Sequence, residues 1–219
     1  MSEGGSADCP DDRRRIPAGG RSPTGEQDED PQRRRRIVRG HFVVEVEDRR
    51  GADAGPGGGG REPLDLSRWG LLAAAAALRE GVRRPAEMGL AFVDEAEISE
   101  LAAAWLQSDH PTDVLAFPVE ASAPRMRRGP LEGDPPLLIG DVVVCPEVAS
   151  RQAGEAGHAL ADELALLIVH GVLHLFGHDH AGPVESLRMK RRTRTLLARL
   201  YRPSRAEVTA PGADSRLVG

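Results

Sequence analysis

His170-Gly-Val-Leu-His174-Leu-Phe-Gly177-His178-Asp179-His180 closes a long apolar run, and its reading sets the architecture. The run from Ala159 to Phe176 has the length of a buried helix rather than a strand. His170 and His174 stand four apart in it, so both imidazoles leave one helix face as neighbours. A third donor from the next turn would distort a tetrahedral site. Gly177 resolves this, because glycine just past a helix end adopts the left-handed conformation cheaply and stops the helix. The chain can then reverse and bring His180 back toward the pair. Three neutral imidazoles leave a fourth position for water, the pattern of a catalytic ion rather than a closed structural one. Four of the chain's seven histidines lie within these eleven residues, which favours a site over scattered core histidines. Zinc suits imidazole best, although nickel, copper and iron accept the same donors. His178 can compete as a ligand, but its place beside Asp179 in the turn makes it a poorer one than His180. Asp179 either orients a ligand imidazole or serves the turn. Glu163, seven residues before His170, either supports the site from behind or is solvated.

Downstream of this stretch, Pro183 to Tyr201 reads as a last helix, opened by a proline at a tolerated position. Upstream, Leu137 to Val144 is a strongly apolar strand, expected to be central. Val114 to Phe117 is a short strand stopped by Pro118, and Pro124 to Pro136 is a loop with arginines. Glu95 to Gln107 places Ile98, Leu101, Ala102, Trp105 and Leu106 at helical spacing. Met88 to Val93 is a short strand, 65 to 82 a helix, and His41 to Glu47 a strand. This order predicts an α+β fold: a small mixed β-sheet packed with helices, with a central helix carrying the metal-binding histidines. Residues 1–36 read as a disordered N-terminal tail of charge blocks. Residues 37–202 form the domain, with 51–62 as a flexible Gly-rich insertion, and 203–219 are a disordered C-terminal tail. The insertion has no Lys-Ser/Thr ending, so it is not a phosphate-binding loop.

Aromatic residues make up only 3% of the chain, so the core must be built from aliphatic side chains. The net charge of −5 argues against a uniformly basic nucleic-acid binder, but the charge is uneven. Residues 188 to 205 hold eight basic side chains and no acidic one. Lys190 is the only lysine of the chain. Arginine suits bidentate phosphate contacts, although genomic base composition produces the same bias. The two cysteines, Cys9 and Cys145, with no apolar N-terminal segment, point to a reducing, cytoplasmic setting. The longest apolar stretch, Leu71 to Leu78, is too short to span a bilayer, so no membrane partner is expected.

The histidine spacing is similar to that of the metzincin proteases, HExxHxxGxxH, but Gly171 stands where those enzymes carry the Glu that acts as general base. The stretch more closely resembles the YbeY endoribonucleases, whose motif is HGxLHLxGYDH, with His178 in place of Tyr. Pro111-Thr-Asp-Val-Leu-Ala-Phe117 resembles that family's PTDVLSF, and Gly140-Asp-Val-Val-Val-Cys-Pro-Glu147 resembles its GDIVICPE. The resemblance implies a single-strand-specific, zinc-dependent endoribonuclease, with one zinc on His170, His174 and His180. It implies action in maturation of the 3′ end of 16S ribosomal RNA and in ribosome quality control. The implied partners are precursor RNA, the ribosome, and ribosomal proteins or assembly factors. Many members carry an arginine shortly before the PTDVLSF segment, where this chain has Leu106; if that arginine touches RNA, another residue must substitute here. The basic segment from Arg188 to Arg202 is expected to help hold RNA, with a solvated helix face as the plainer alternative. No residue identifies itself as the general base, and either water or the RNA 2′-hydroxyl can be the nucleophile. A non-catalytic zinc-binding ribosome-assembly factor and a metalloprotease remain as alternatives.

Overall fold

The computed structural model describes residues 33–51, 63–106, 112–119, 129, 134–178 and 182–202. Two strands, β1 (Arg34–Arg39) and β2 (Phe42–Asp48), form an antiparallel hairpin turned at Gly40. Helix α1 (Leu66–Arg79) then carries the chain over the sheet, so that β3 (Ala86–Phe92) pairs parallel with β2. After α2 (Glu95–Leu106) come β4 (Val114–Pro118) and β5 (Leu137–Val144). Strand β5 lies between β3 and β4, parallel to the first and antiparallel to the second, which gives the order β1-β2-β3-β5-β4. Three helices complete the described chain: α3 (Pro146–Ala156), α4 (Leu160–Leu175) and α5 (Pro183–Leu200). This is the expected α+β fold, a mixed sheet packed with helices.

Each strand contributes to two layers because successive side chains point to opposite faces. On one face, Phe42, Val44, Val46, Met88, Leu90, Val142 and Val144 meet α1 and α4 in the main core. The other face is covered in part by α2, where Ile98 and Ala102 pack with Leu115, Val143 and Cys145. Helix α4 is central: it touches α1, α3, α5, β4 and β5. Its buried residues run from Glu163 to Leu175, which is why the sequence there is apolar almost all round. The alanines from Ala73 to Ala77 are all buried. Their small side chains let α1 lie close to its neighbours.

Two elements differ from the sequence reading. Residues 34 to 36, read as the end of the N-terminal tail, form the first half of β1. A run of arginines looks like a solvated tail when read alone. In the fold Arg34 pairs with Glu47 at 2.7 Å and Arg36 pairs with Glu45, across the strand pair. Cross-strand opposite charges here replace the apolar alternation that normally marks a strand. Helix α3 was not expected at all. Only Pro146, Val148, Ala149 and Ala153 are buried in it, too few to show a clear period. Its marks are at the ends: a proline in the first turn and Gly157 at φ 72° after the last. Residues 52–62 of the predicted insertion, residues 1–32 of the predicted tail and residues 203–219 lie outside the described residues.

Candidate metal centre

The site is built on the C-terminal end of α4. Gly171 faces the sheet: a Cβ there would lie 2.6 Å from Val142 Cγ1 and 3.2 Å from Val114 Cγ2. The helix therefore rests on β4 and β5 at a residue with no side chain. His170 and His174 lie together to one side of that contact line, half-buried rather than enclosed in the core. Their rings lie edge to face, with centroids 4.8 Å apart. This is the neighbouring placement that the spacing of four requires.

The helix ends as the glycine reading predicts. Gly177 has φ 78°. Its amide donates to the His174 carbonyl at 2.9 Å, and the His178 amide donates to the Leu173 carbonyl at 3.1 Å. This pair of bonds is the Schellman closure, which satisfies the last carbonyls and turns the chain off the helix axis. Asp179 and His180 lie outside the described residues. Among the described residues no cluster of three His, Cys, Asp or Glu groups forms a complete ligand set. The two described imidazoles fit a metal ion in donor chemistry, common face and partial exposure.

His178 has a partner of its own in the fold. Its Nε2 donates to Glu80 Oε2 at 3.0 Å, across 98 residues of sequence. The Glu80 side chain is only 7% exposed, and its other oxygen accepts from Arg192 Nε at 2.7 Å. Arg192 Nη2 also donates to the Arg79 carbonyl at 2.9 Å, at the end of α1. One carboxylate thus ties the ends of α1 and α4 to the middle of α5. Burial pushes the Glu80 carboxyl up, but the bonds from His178 and Arg192 outweigh it and hold the group below the usual glutamate range. A carboxyl depressed in the folded state stabilises it above the unfolded value and ceases to do so as pH falls through the folded value. Glu80→Gln is therefore expected to cost the metal-free chain about 1–3 kcal/mol at pH 7, the scale of lost charged hydrogen bonds. The gap to the parent should close as pH falls below about 4. Urea unfolding of both chains at a series of pH values measures this, and a gap that stays constant down to pH 3 would defeat the assignment.

Glu163 is neither solvated nor beside His170. It is buried in the first turn of α4, about 10 Å along the helix from His170, and pairs with His158 Nε2 at 3.0 Å. Burial raises its carboxyl, with the Asp113 charge adding to the rise and His158 opposing it. The Thr112 hydroxyl bonds the Asp113 carboxylate at 3.2 Å, and the Asp113 carbonyl accepts from Cys145 N at 2.9 Å. This segment thus anchors β4 against the end of β5. In the third motif Gly140 is obligatory: at φ 138°, a Cβ would meet the Phe117 carbonyl oxygen at 2.2 Å. Asp141 occupies the space above Gly89 on the α2 side of the sheet, where burial raises its carboxyl and Arg49 opposes the rise. Burial also pushes the Cys145 thiol up to about 12.

The element order and the histidine-bearing central helix define an α+β domain with a candidate metal centre at one helix end. The family model described as Endoribonuclease YbeY matches residues 68–201. The chain belongs to the YbeY endoribonuclease family. A relative with that name from Rhodococcus erythropolis is 40% identical over 161 residues, covering 71% of this chain and 89% of its own. One from Salinispora tropica is 50% identical over 113 residues, covering 50% and 71%. One from Corynebacterium kroppenstedtii is 42% identical over 138 residues, covering 63% of this chain and 65% of its own length. Among solved structures, a Thermotoga maritima solution structure aligns over 61% of this chain and 82% of its own, at 23% identity and TM-score 0.40.

Proposed function

We propose that this chain is a zinc-dependent endoribonuclease specific for single strands, acting in the cytoplasm on the 3′ end of precursor 16S ribosomal RNA and in ribosome quality control. One observation carries the reading: the His170 and His174 rings sit together on one face of α4, within the segment that matches the family. His170, His174 and His180 would hold the metal. Zinc, when bound, supplies a Lewis acid that makes water more acidic and polarises a phosphoryl oxygen. The protein's own part is placement. Gly171 seats the helix, the Gly177 closure turns the chain off the helix axis, and Glu80 fixes that turn through His178. The exposed arginines Arg188, Arg191 and Arg194 on α5 offer positive charge to phosphates in an otherwise acidic chain. Arg192, in the same basic run, is committed to Glu80 and does not belong to that surface.

The packing of Gly171 also weighs against peptide hydrolysis. A Cβ at that position would already meet Val142 and Val114, so the seated helix has no room there for a carboxylate side chain. The test is cleavage by the purified full chain. It should cut a labelled single-stranded precursor 3′ segment and spare the same segment annealed to its complement. Chelator should stop the reaction and added zinc should restore it. A chain that carries zinc and binds ribosomes, yet leaves all RNA intact, would instead be a non-catalytic assembly factor.

A further inference from the structure

At the end of α4 opposite the histidines lies a cleft of about 620 Å³, bounded by the end of β1, the start of α1 and the end of α5. Arg39, Arg68, Arg199 and Arg202 line it, and among the described residues Asp65 is its only acid. Asp65 is already used: its carboxylate caps α1 by accepting from the Arg68 amide at 2.9 Å. All four arginines are exposed, and among the described residues none has a carboxylate partner. Arg34, Arg36, Arg49 and Arg151, elsewhere on the surface, are by contrast paired with carboxylates.

One of the four is held in place. The Arg68 guanidinium lies 4.8 Å from the Trp69 ring centroid and 5.2 Å from that of Tyr201. Its Nη2 donates to the Tyr201 hydroxyl at 3.1 Å, and that hydroxyl donates to Asp162 at 2.8 Å. A guanidinium fixed this way loses little freedom when it binds, and its planar fork matches phosphate oxygens. Arg188, Arg191 and Arg199 lie along one exposed stripe of α5, about 16 Å long at helical rise. The stripe leads from the end of α5 that follows the metal loop to the cleft. Asp162, which marks the cleft end of α4, is twelve residues and about 18 Å from His174.

We infer that this cleft is a second anchoring site for the phosphate backbone of single-stranded RNA, remote from the candidate metal centre. The inference rests on the ribonuclease reading. An RNA strand cut at the histidine end would be held at its other part by Arg39, Arg68, Arg199 and Arg202. Binding would then depend on strand length, and it would weaken steeply with salt because each phosphate contact releases counterions. The contacts are to the backbone, so they carry no base preference.

The test uses full-length chain with R39Q, R199Q and R202Q together, leaving Arg68 because it packs on two rings. A second variant carries R39K, R199K and R202K. Binding of a fluorescent 16-nucleotide single strand is measured by anisotropy over a salt series, with zinc content determined in parallel. The glutamine variant should bind at least about tenfold more weakly at low salt, with the log–log salt slope shallower by about 2, the value for three lost single-strand contacts. Its zinc content should match the parent, KM for the 16-mer should rise, and the lysine variant should recover most of the slope. Parent-like affinity and slope in the glutamine variant, with RNA still cleaved, would overturn the cleft assignment alone. If the variant loses binding only to polyglutamate, the cleft takes acidic polypeptide and the RNA assignment falls. If the zinc-loaded parent neither binds nor cleaves RNA, the underlying ribonuclease reading fails first.

Discussion

His174→Ala is expected to leave the chain folded but nearly without zinc, down from about one ion per molecule, and to reduce RNA cleavage by at least about a hundredfold, as loss of a transition-state-stabilising group does. The residue is only partly buried and lies off the contact line of α4 with the sheet. The metal-free Tm should therefore stay close to that of the metal-free parent. Zinc should separate the two proteins. An ion at a thousand times its Kd adds about 4 kcal/mol to the stability of a chain that binds it only when folded. The parent Tm should rise with added zinc, and that of the variant should not. Elemental analysis that finds full occupancy in the variant would remove His174 from the ligand set.

Gly171→Ala should act on the same site through packing. The new methyl group would meet Val142 Cγ1 at 2.6 Å, and Val142 is itself fully buried in β5. Alanine gains about 1 kcal/mol over glycine in a helix interior. Overpacking costs about 1–3 kcal/mol, more where the neighbour cannot move. A strand side chain under a helix has little room to give, so a net loss of about 1–2 kcal/mol is expected. The helix can relieve the clash only by lifting from the sheet, which moves both histidines. Zinc affinity should therefore fall together with stability, although no ligand has changed. Gly171→Glu, which writes the protease pattern into the chain, should lose the fold altogether, because it forces a charge between α4 and β5. Chemical unfolding and zinc competition measure both variants. An alanine variant with parental stability and affinity would show that the helix is not seated on this residue.

The parts of the structure legible in the sequence are those with strong local signals. Leu137 to Val144 is bounded as read, because six of its eight residues are Leu, Ile or Val and most are buried. The end of α4 is where Gly177 places it, because only a left-handed residue ends a helix in that way cheaply. The histidine pair follows from the helical period alone. Helix α3 was hidden because it buries few residues, and the first half of β1 because it is a run of exposed arginines held by its backbone ladder to β2. The Glu80 cluster had no local signal: His178, Glu80 and Arg192 come from three separate helix regions and meet only when packed. That cluster also divides the basic run on α5, which looks uniform in sequence, into exposed arginines and one structural arginine. The cleft beside Arg68 was invisible for the same reason, since its four arginines come from β1, α1 and the end of α5.

The arginine-lined hairpin has a further consequence for how these molecules behave in a crowd. Strand β1 is an outer edge of the sheet, and an outer edge offers unpaired amides and carbonyls to any extended chain nearby. Here a strand arriving from a neighbour would have to lie along Arg34, Arg35, Arg36 and Arg39, all exposed. Another copy would bring the same arginines, of which Arg34 and Arg36 are already paired with Glu47 and Glu45. Growth of the sheet from one molecule to the next is thereby opposed at the step of first contact.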